Sequence, residues 1–269
     1  MADGDAPSAD GLPFFAPEPP APGAPVADTV PTRLEPGMPI MVQGKAVGSI
    51  GCFAIRLSDG KRMLLSCRHV LLGSAGTPVY HPDASPPGAH LKVIGMVAAD
   101  GFLDQRGDAA AAQLNEERSG FWRSRYWPGR SLDFRDPSPN ERVVKVGCIT
   151  GRTEGIVGSA MMPLAEYHGI MCWKVSPLPG ATNVLCDNGD SGAVWVAVSD
   201  GRIVGLHIYG RNSPGAAGYS QAMPIRTVFD LLKLRLPTAE ELRPPPEPDP
   251  LIARAPDIAA GKAGNTGIA

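Results

Sequence analysis

The chain has 269 residues and a formal net charge of -2, a balance that gives no electrostatic reason to expect a nucleic acid or an anionic membrane as partner. No apolar run approaches the length of a membrane-spanning helix. The opening MADGDAPSADGLPFF carries acids where a secretory signal needs a basic start, so a cytoplasmic product is expected. The five cysteines, Cys52, Cys67, Cys148, Cys172 and Cys186, are odd in number and form no CxxC pair. They are expected to be small core residues, which agrees with a reducing compartment.

Residues 1–38 are dominated by Pro, Ala, Gly and Asp, as in APEPPAPGAP, and are expected to form a disordered arm. From there to residue 118 the texture changes to short β-rich runs: AVGSIGCFAIRL, KRMLLSC, HLKVIGMVA and DAAAAQL. Residues 119–140, SGFWRSRYWPGRSLDFRDPSPN, interrupt the pattern. Their Phe121, Trp122, Tyr126 and Trp127 fit either a connector whose aromatics clamp two halves together or a surface for a regulatory partner. The β pattern resumes over 141–236 with RVVKVGCIT, GIVGSAMM, IMCWKVSP, SGAVWVAV and GRIVGLHIY, several runs being separated by turns such as Ser199-Asp200-Gly201. Evenly spaced short strands predict an all-β fold. Val228, Leu231, Leu232 and Arg235 follow helical spacing and predict one late helix over Ile225–Leu236. Residues 237–269 are again rich in Pro, Gly and Ala and are expected to be a disordered tail, each arm serving either as a solvated end or as a tether or removable pro-segment for regulation.

Three blocks carry chemistry. In Cys186-Asp187-Asn188-Gly189-Asp190-Ser191-Gly192 a serine stands between glycines just before the hydrophobic run Ala193-Val194-Trp195. Gly189 permits a backbone conformation in which its own N–H and that of Ser191 point at one small volume, the requirement for an oxyanion hole. A serine nucleophile needs a base within hydrogen-bond reach, itself oriented by a third group. His69 is best placed among the histidines, because it follows the strand KRMLLSCR and precedes Val70-Leu71-Leu72. His81, His90 and His168 lie in polar or Pro-rich loops and read as surface residues. Asp108 leads directly into Ala109-Ala110-Ala111-Ala112, and a carboxylate at the edge of so apolar a run needs a partner. Asp100 and Asp104 sit in a more polar loop and are weaker candidates.

LLSCRHVL, GDAAAAQL and DNGDSGAVWV, in the order His, Asp, Ser, resemble the three catalytic blocks of the chymotrypsin-like (trypsin-fold) serine peptidases, particularly their bacterial trypsin-like branch. The resemblance covers residues 45–236. It implies two six-stranded antiparallel β-barrels, one over 39–118 and one over 141–236, with the C-terminal helix on the second. By the same resemblance Ser191 attacks the scissile carbonyl, His69 moves the proton and Asp108 orients the imidazole. The N–H groups of Gly189 and Ser191 hold the oxyanion, the substrate is a protein or peptide, and no cofactor or metal is required. Val70 follows the histidine where secreted members have a cysteine, so their disulfide at that loop cannot form. In secreted trypsins the acid equivalent to Asp190 pairs with a newly cleaved N-terminus, and no cleavage-ready site of that sort is evident here.

The resemblance also bears on specificity. Gly205-Leu206-His207-Ile208-Tyr209-Gly210 corresponds to the strand that forms one wall of the S1 pocket and pairs with bound peptide. His207 falls where a histidine reads P1 glutamate in glutamyl endopeptidases, and a similar GxH reads glutamine in picornaviral relatives; the alternative is a core histidine that supports the strand. Leu185 falls roughly where trypsins place the acid that selects Arg or Lys, so Glu or Gln is expected at P1, with Asp187 keeping a basic alternative open. The competing function is a catalytically idle protein-binding module on the same fold.

Overall fold

The computed structural model describes residues 33–82, 92–116, 119–120, 122–128, 132–165, 169–181, 184–213, 216–238 and 240–241. The expectations for Phe121, His90, His168, residues 1–32 and nearly all of the tail lie outside these residues. The fold belongs to a compact unit that ends at Leu236, with Pro237–Ala269 a separate unit.

The first half contains β1 (Arg33–Leu34), β2 (Pro39–Val42), β3 (Gly48–Ser49), β4 (Cys52–Arg56), β5 (Arg62–Ser66), β6 (Pro78–His81), β7 (Lys92–Val97), β8 (Phe102–Asp104), β9 (Gly107–Leu114) and β10 (Ser119–Gly120). The second contains β11 (Arg142–Gly147), β12 (Gly151–Leu164), β13 (Ile170–Pro177), β14 (Val194–Ala197), β15 (Ile203–Ser213) and β16 (Ala216–Pro224), then α1 (Ile225–Leu232) and β17 (Leu234–Arg235). Strands β11-β12-β13-β16-β15-β14 form a closed antiparallel barrel. The first half is a curled sheet in the order β17-β4-β5-β9-β7-β6-β2-β3, with β8 on β9. Its edges are β17 and β3, and β3 is separated from β4 in the chain by Ile50-Gly51, whose N–H groups go to the carbonyls of Met38 and Leu65 (both 2.8 Å). This is the chymotrypsin-like two-barrel architecture, with the first barrel open along one seam.

Regular pairing begins inside the segment expected to be an arm: β1 runs parallel to β10, and Leu34 is fully buried. One large apolar side chain moved out of water contributes about 1.5–3 kcal/mol, enough to hold a two-residue strand. In the central strand β9, Ala109 to Ala112 are all buried, so the run is continuously apolar rather than alternating. One continuous core runs from Phe53, Leu64 and Leu65 through Val194, Leu206 and Ile208 to the helix face of Ile225, Val228, Phe229 and Leu232.

The helix ends earlier than its spacing predicts. Lys233 takes a left-handed conformation (φ 53°) and donates its N–H to the Phe229 carbonyl, and the chain then pairs through Leu234–Arg235 with β4. A short strand from the end of the second half therefore completes the sheet of the first. The 119–140 connector touches both halves: Trp122 packs edge-on against Phe53 (centroids 6.3 Å apart), and Phe134 packs on Phe229 (4.7 Å). Tyr126 is left exposed.

Candidate active site

His69 lies on a single turn after β5, closed by the Leu71 N–H donating to the Cys67 carbonyl (3.0 Å). Buried Val70 and Leu71 anchor this turn, and the Arg68 guanidinium ties it down by donating to the carbonyls of Leu71 and Gly73. Asp108 stands at the start of β9 beside Gly107, whose φ of 152° would strain any side chain and whose Cβ would collide with Met223. The Asp108 carboxylate is fully buried, and both of its oxygens are used. Oδ1 accepts the His69 backbone N–H (3.0 Å), and Oδ2 is in short contact with His69 Nδ1. A carboxylate held by both the backbone and the ring of one residue fixes that ring's tautomer and orientation.

Ser191 lies on the Asp187–Ala193 turn ahead of β14. Ser191 and His69 line the same cleft, about 440 Å³ in volume, together with Cys186, His207 and Tyr209. Glycines shape this turn at two points. Gly189 has φ 107° and Gly192 has φ 94°, and a Cβ on Gly192 would overlap Ser66 Oγ and the Ser49 carbonyl. The Asp190 carbonyl accepts the Ala193 N–H (3.0 Å). That bond fixes the 190–191 peptide plane and directs the Ser191 N–H to the opposite side.

Ser49 of the first half clamps the turn. Its backbone N–H donates to the Ser191 carbonyl (2.8 Å), and its hydroxyl donates to the Gly189 carbonyl (2.9 Å) while accepting the Cys148 N–H (2.9 Å).

Beneath the turn lies a buried ion pair. Lys145 Nζ is 2.6 Å from Asp190 Oδ2, and both side chains are fully enclosed. Asp190 also accepts the N–H groups of Ile149 and Thr150 (3.1 Å each) and of Asp187 (3.2 Å), and the Thr150 hydroxyl (2.5 Å). Burial alone would push this carboxyl up, but the Lys145 charge with the bonds from Lys145 and Thr150 outweighs it and holds Asp190 below the usual carboxylate range. Burial lowers Lys145, an effect opposed by Asp190. The ammonium that meets Asp190 thus comes from the interior of a barrel strand, not from a chain terminus.

On the far wall, His207 is 2% exposed, and its Nδ1 is 2.7 Å from the buried Ser220 Oγ. Burial, with the neighbouring Lys145 charge, pushes the ring down to about 3, so it is neutral near pH 7. The His207 carbonyl accepts the Gly192 N–H (2.9 Å) and the Cys67 thiol (3.2 Å), which joins β15 to both the serine turn and the histidine turn. Leu185 does not reach the cleft. It packs in the barrel core with Val157, Val175 and Trp195, and its neighbour Cys186 takes the place on the wall.

Sequence reasoning also missed Ser49, Lys145 and Ser220. Only Lys145 left a trace, a lone charge inside the apolar run Val143-Val144-Lys145-Val146. All five cysteines are free, and burial raises the thiols of Cys52 and Cys172 to about 12.

The fold is that of the chymotrypsin-like serine proteases of bacteria. Among solved structures, the chain is similar to Thermobifida fusca protease A (21% identity, TM-score 0.56, covering 77% of this chain and 99% of that one). It is similar as well to Nocardiopsis protease (18%, TM-score 0.57, 77% and 100%) and to a glutamic-acid-specific serine protease described as using a histidine triad in substrate binding (15%, TM-score 0.59, 76% and 100%). No protein-family profile and no curated protein matches the sequence.

Proposed function

We propose that this protein is a serine endopeptidase that cleaves peptide bonds through an acyl-enzyme. The observation that carries the reading is the buried Asp108 paired to both the backbone and the ring of His69, on the same cleft as Ser191. In this reading Ser191 Oγ attacks the carbonyl carbon and His69 Nε2 takes its proton, while Asp108 stabilises the imidazolium that forms. The N–H groups of Gly189 and Ser191 hold the oxyanion. His69 then returns the proton to the leaving amine, and water repeats the sequence to release the acid. Because Lys145 supplies the counter-ion of Asp190, the serine turn is held in shape without a liberated N-terminus.

Bound peptide pairs with the edge of β15 at Tyr209 and Gly210, and its P1 side chain meets His207. A P1 residue that accepts a hydrogen bond, Glu or Gln, suits that wall. The preference of the glutamic-acid-specific neighbour lends support.

A fluorophosphonate probe tests the activity. Wild type should be labelled and Ser191→Ala should not, and cleavage of a peptide library should follow the labelled species. Equal failure of both proteins to react would overturn the reading in favour of a non-catalytic binding module.

A further inference from the structure

The hydrogen-bond chain behind His207 determines where its protons sit. Trp195 Nε1 can only donate, and it donates to Ser220 Oγ (3.2 Å), so that oxygen is an acceptor from one side. Ser220 is fully buried, and its hydroxyl proton must find an acceptor. His207 Nδ1, 2.7 Å away, is the one that the described residues provide. If Nδ1 carried the proton instead, the hydroxyl would receive two donors and its own hydrogen would be left buried without a partner. Placing every hydrogen therefore gives Trp195 N–H to Ser220 O–H to His207 Nδ1. The ring proton is then on Nε2, the nitrogen of the ring left for the cleft that His207 lines.

We propose that His207 Nε2–H is an uncharged donor at the base of the S1 pocket and selects P1 glutamine over P1 glutamate. This rests on the peptidase reading and narrows it. A glutamine side-chain carbonyl accepts from Nε2–H with no charge to desolvate. Among the described residues, a glutamate carboxylate meets the same neutral donor with no buried counter-charge, since the Lys145 ammonium is committed to Asp190. The exposed charged side chains on the wall, Asp187 and Arg211, are of opposite sign and supply no net positive field. Asp187 repels a second carboxylate and offers an acceptor to an amide.

Two measurements on the wild-type protein decide the matter, and a variant adds a third. Paired peptides that differ only in P1 Gln or Glu should show kcat/KM at least about 10-fold higher for Gln at pH 7.5. A ratio of one or below overturns the proposal, as does cleavage confined to basic P1 residues. Long-range proton–nitrogen NMR of the histidine rings should show His207 with a protonated Nε2 and a bare Nδ1 at that pH; the reverse tautomer or a doubly protonated ring overturns it independently of activity. In Ser220→Ala the tautomer loses its donor, so the Gln:Glu ratio should fall towards one while fluorophosphonate labelling persists; an undiminished ratio counts against the proposal. Should that variant not fold, the two wild-type measurements still decide. Absence of labelling in wild type removes the peptidase reading itself, whereas labelling combined with a Glu preference removes only this inference.

Discussion

Replacing Lys145 with Met keeps much of the side-chain volume but leaves the Asp190 carboxylate enclosed without its counter-ion. Breaking a buried pair by removing one partner typically costs about 3–5 kcal/mol. Asp190 retains bonds from Ile149, Thr150 and Asp187, so the lower end, about 3 kcal/mol, is expected. For a domain of this size that corresponds to a fall in Tm of about 6–12 °C. The dependence on pH has a definite sign. In wild type the folded carboxyl lies below its unfolded value, so its contribution is present above the unfolded value near 4 and is lost as pH falls further. In the variant burial is unopposed by Lys145 and the carboxyl rises, so its penalty is largest at neutral pH and fades on acidification. The gap between the two proteins should therefore be widest near pH 7 and narrow toward pH 4. Urea melts at both pH values, with fluorophosphonate labelling rates in parallel, test this. Unchanged midpoints together with undiminished labelling would show that the serine turn does not depend on the pair.

Asp108→Asn keeps the shape of the dyad but presents an amide to the histidine, and labelling and peptide hydrolysis should fall by about 10⁴-fold with the melt little changed. Gly192→Ala adds a Cβ at φ 94° against Ser66 Oγ and the Ser49 carbonyl, and it should lower yield and Tm sharply, whereas Gly44→Ala, at φ 73° but with nothing for a Cβ to meet, should cost only its backbone strain and lower Tm less. His207 is buried as the neutral ring and must take up a proton on unfolding in acid. Its folded value is near 3 against an ordinary 6.5, so stability should decline as pH drops from about 6.5 toward 3. His207→Asn should flatten that decline in urea midpoints measured across the range, and an equally steep profile would refute the assignment.

The pattern of short apolar runs and Gly/Asp turns was enough to read an all-β chain, because strand period and turn chemistry are local properties. The positions of His69 and Ser191 on turns and of Asp108 at the start of a strand follow from the same local signals, each standing at one end of an apolar run, although the Asp108 side chain is fully buried. The helix was legible too, but not its end. Leu234 and Arg235 leave it to pair with β4, and that pairing depends on a strand far away in sequence.

What only the tertiary structure decided is the set of partners behind those residues. Lys145 is a lone charge inside the run Val143-Val144-Lys145-Val146, where a strand face would expose it, yet it is fully buried against Asp190. Ser49 belongs to the first sheet and clamps a turn of the second, and Ser220 sits behind a histidine on a neighbouring strand. Ser49 and Lys145 meet partners far away in the chain, and Ser220 meets His207 across β15–β16, whose register shifts between His207 and Tyr209; no local pattern records which residue will stand opposite which. Leu185 illustrates the same limit in one residue: a single step along the chain separates a side chain in the barrel core from one on the cleft wall. The sequence alone therefore determined which groups stand at strand ends, and the pairing of the curled sheet with the closed barrel determined which of them face one another.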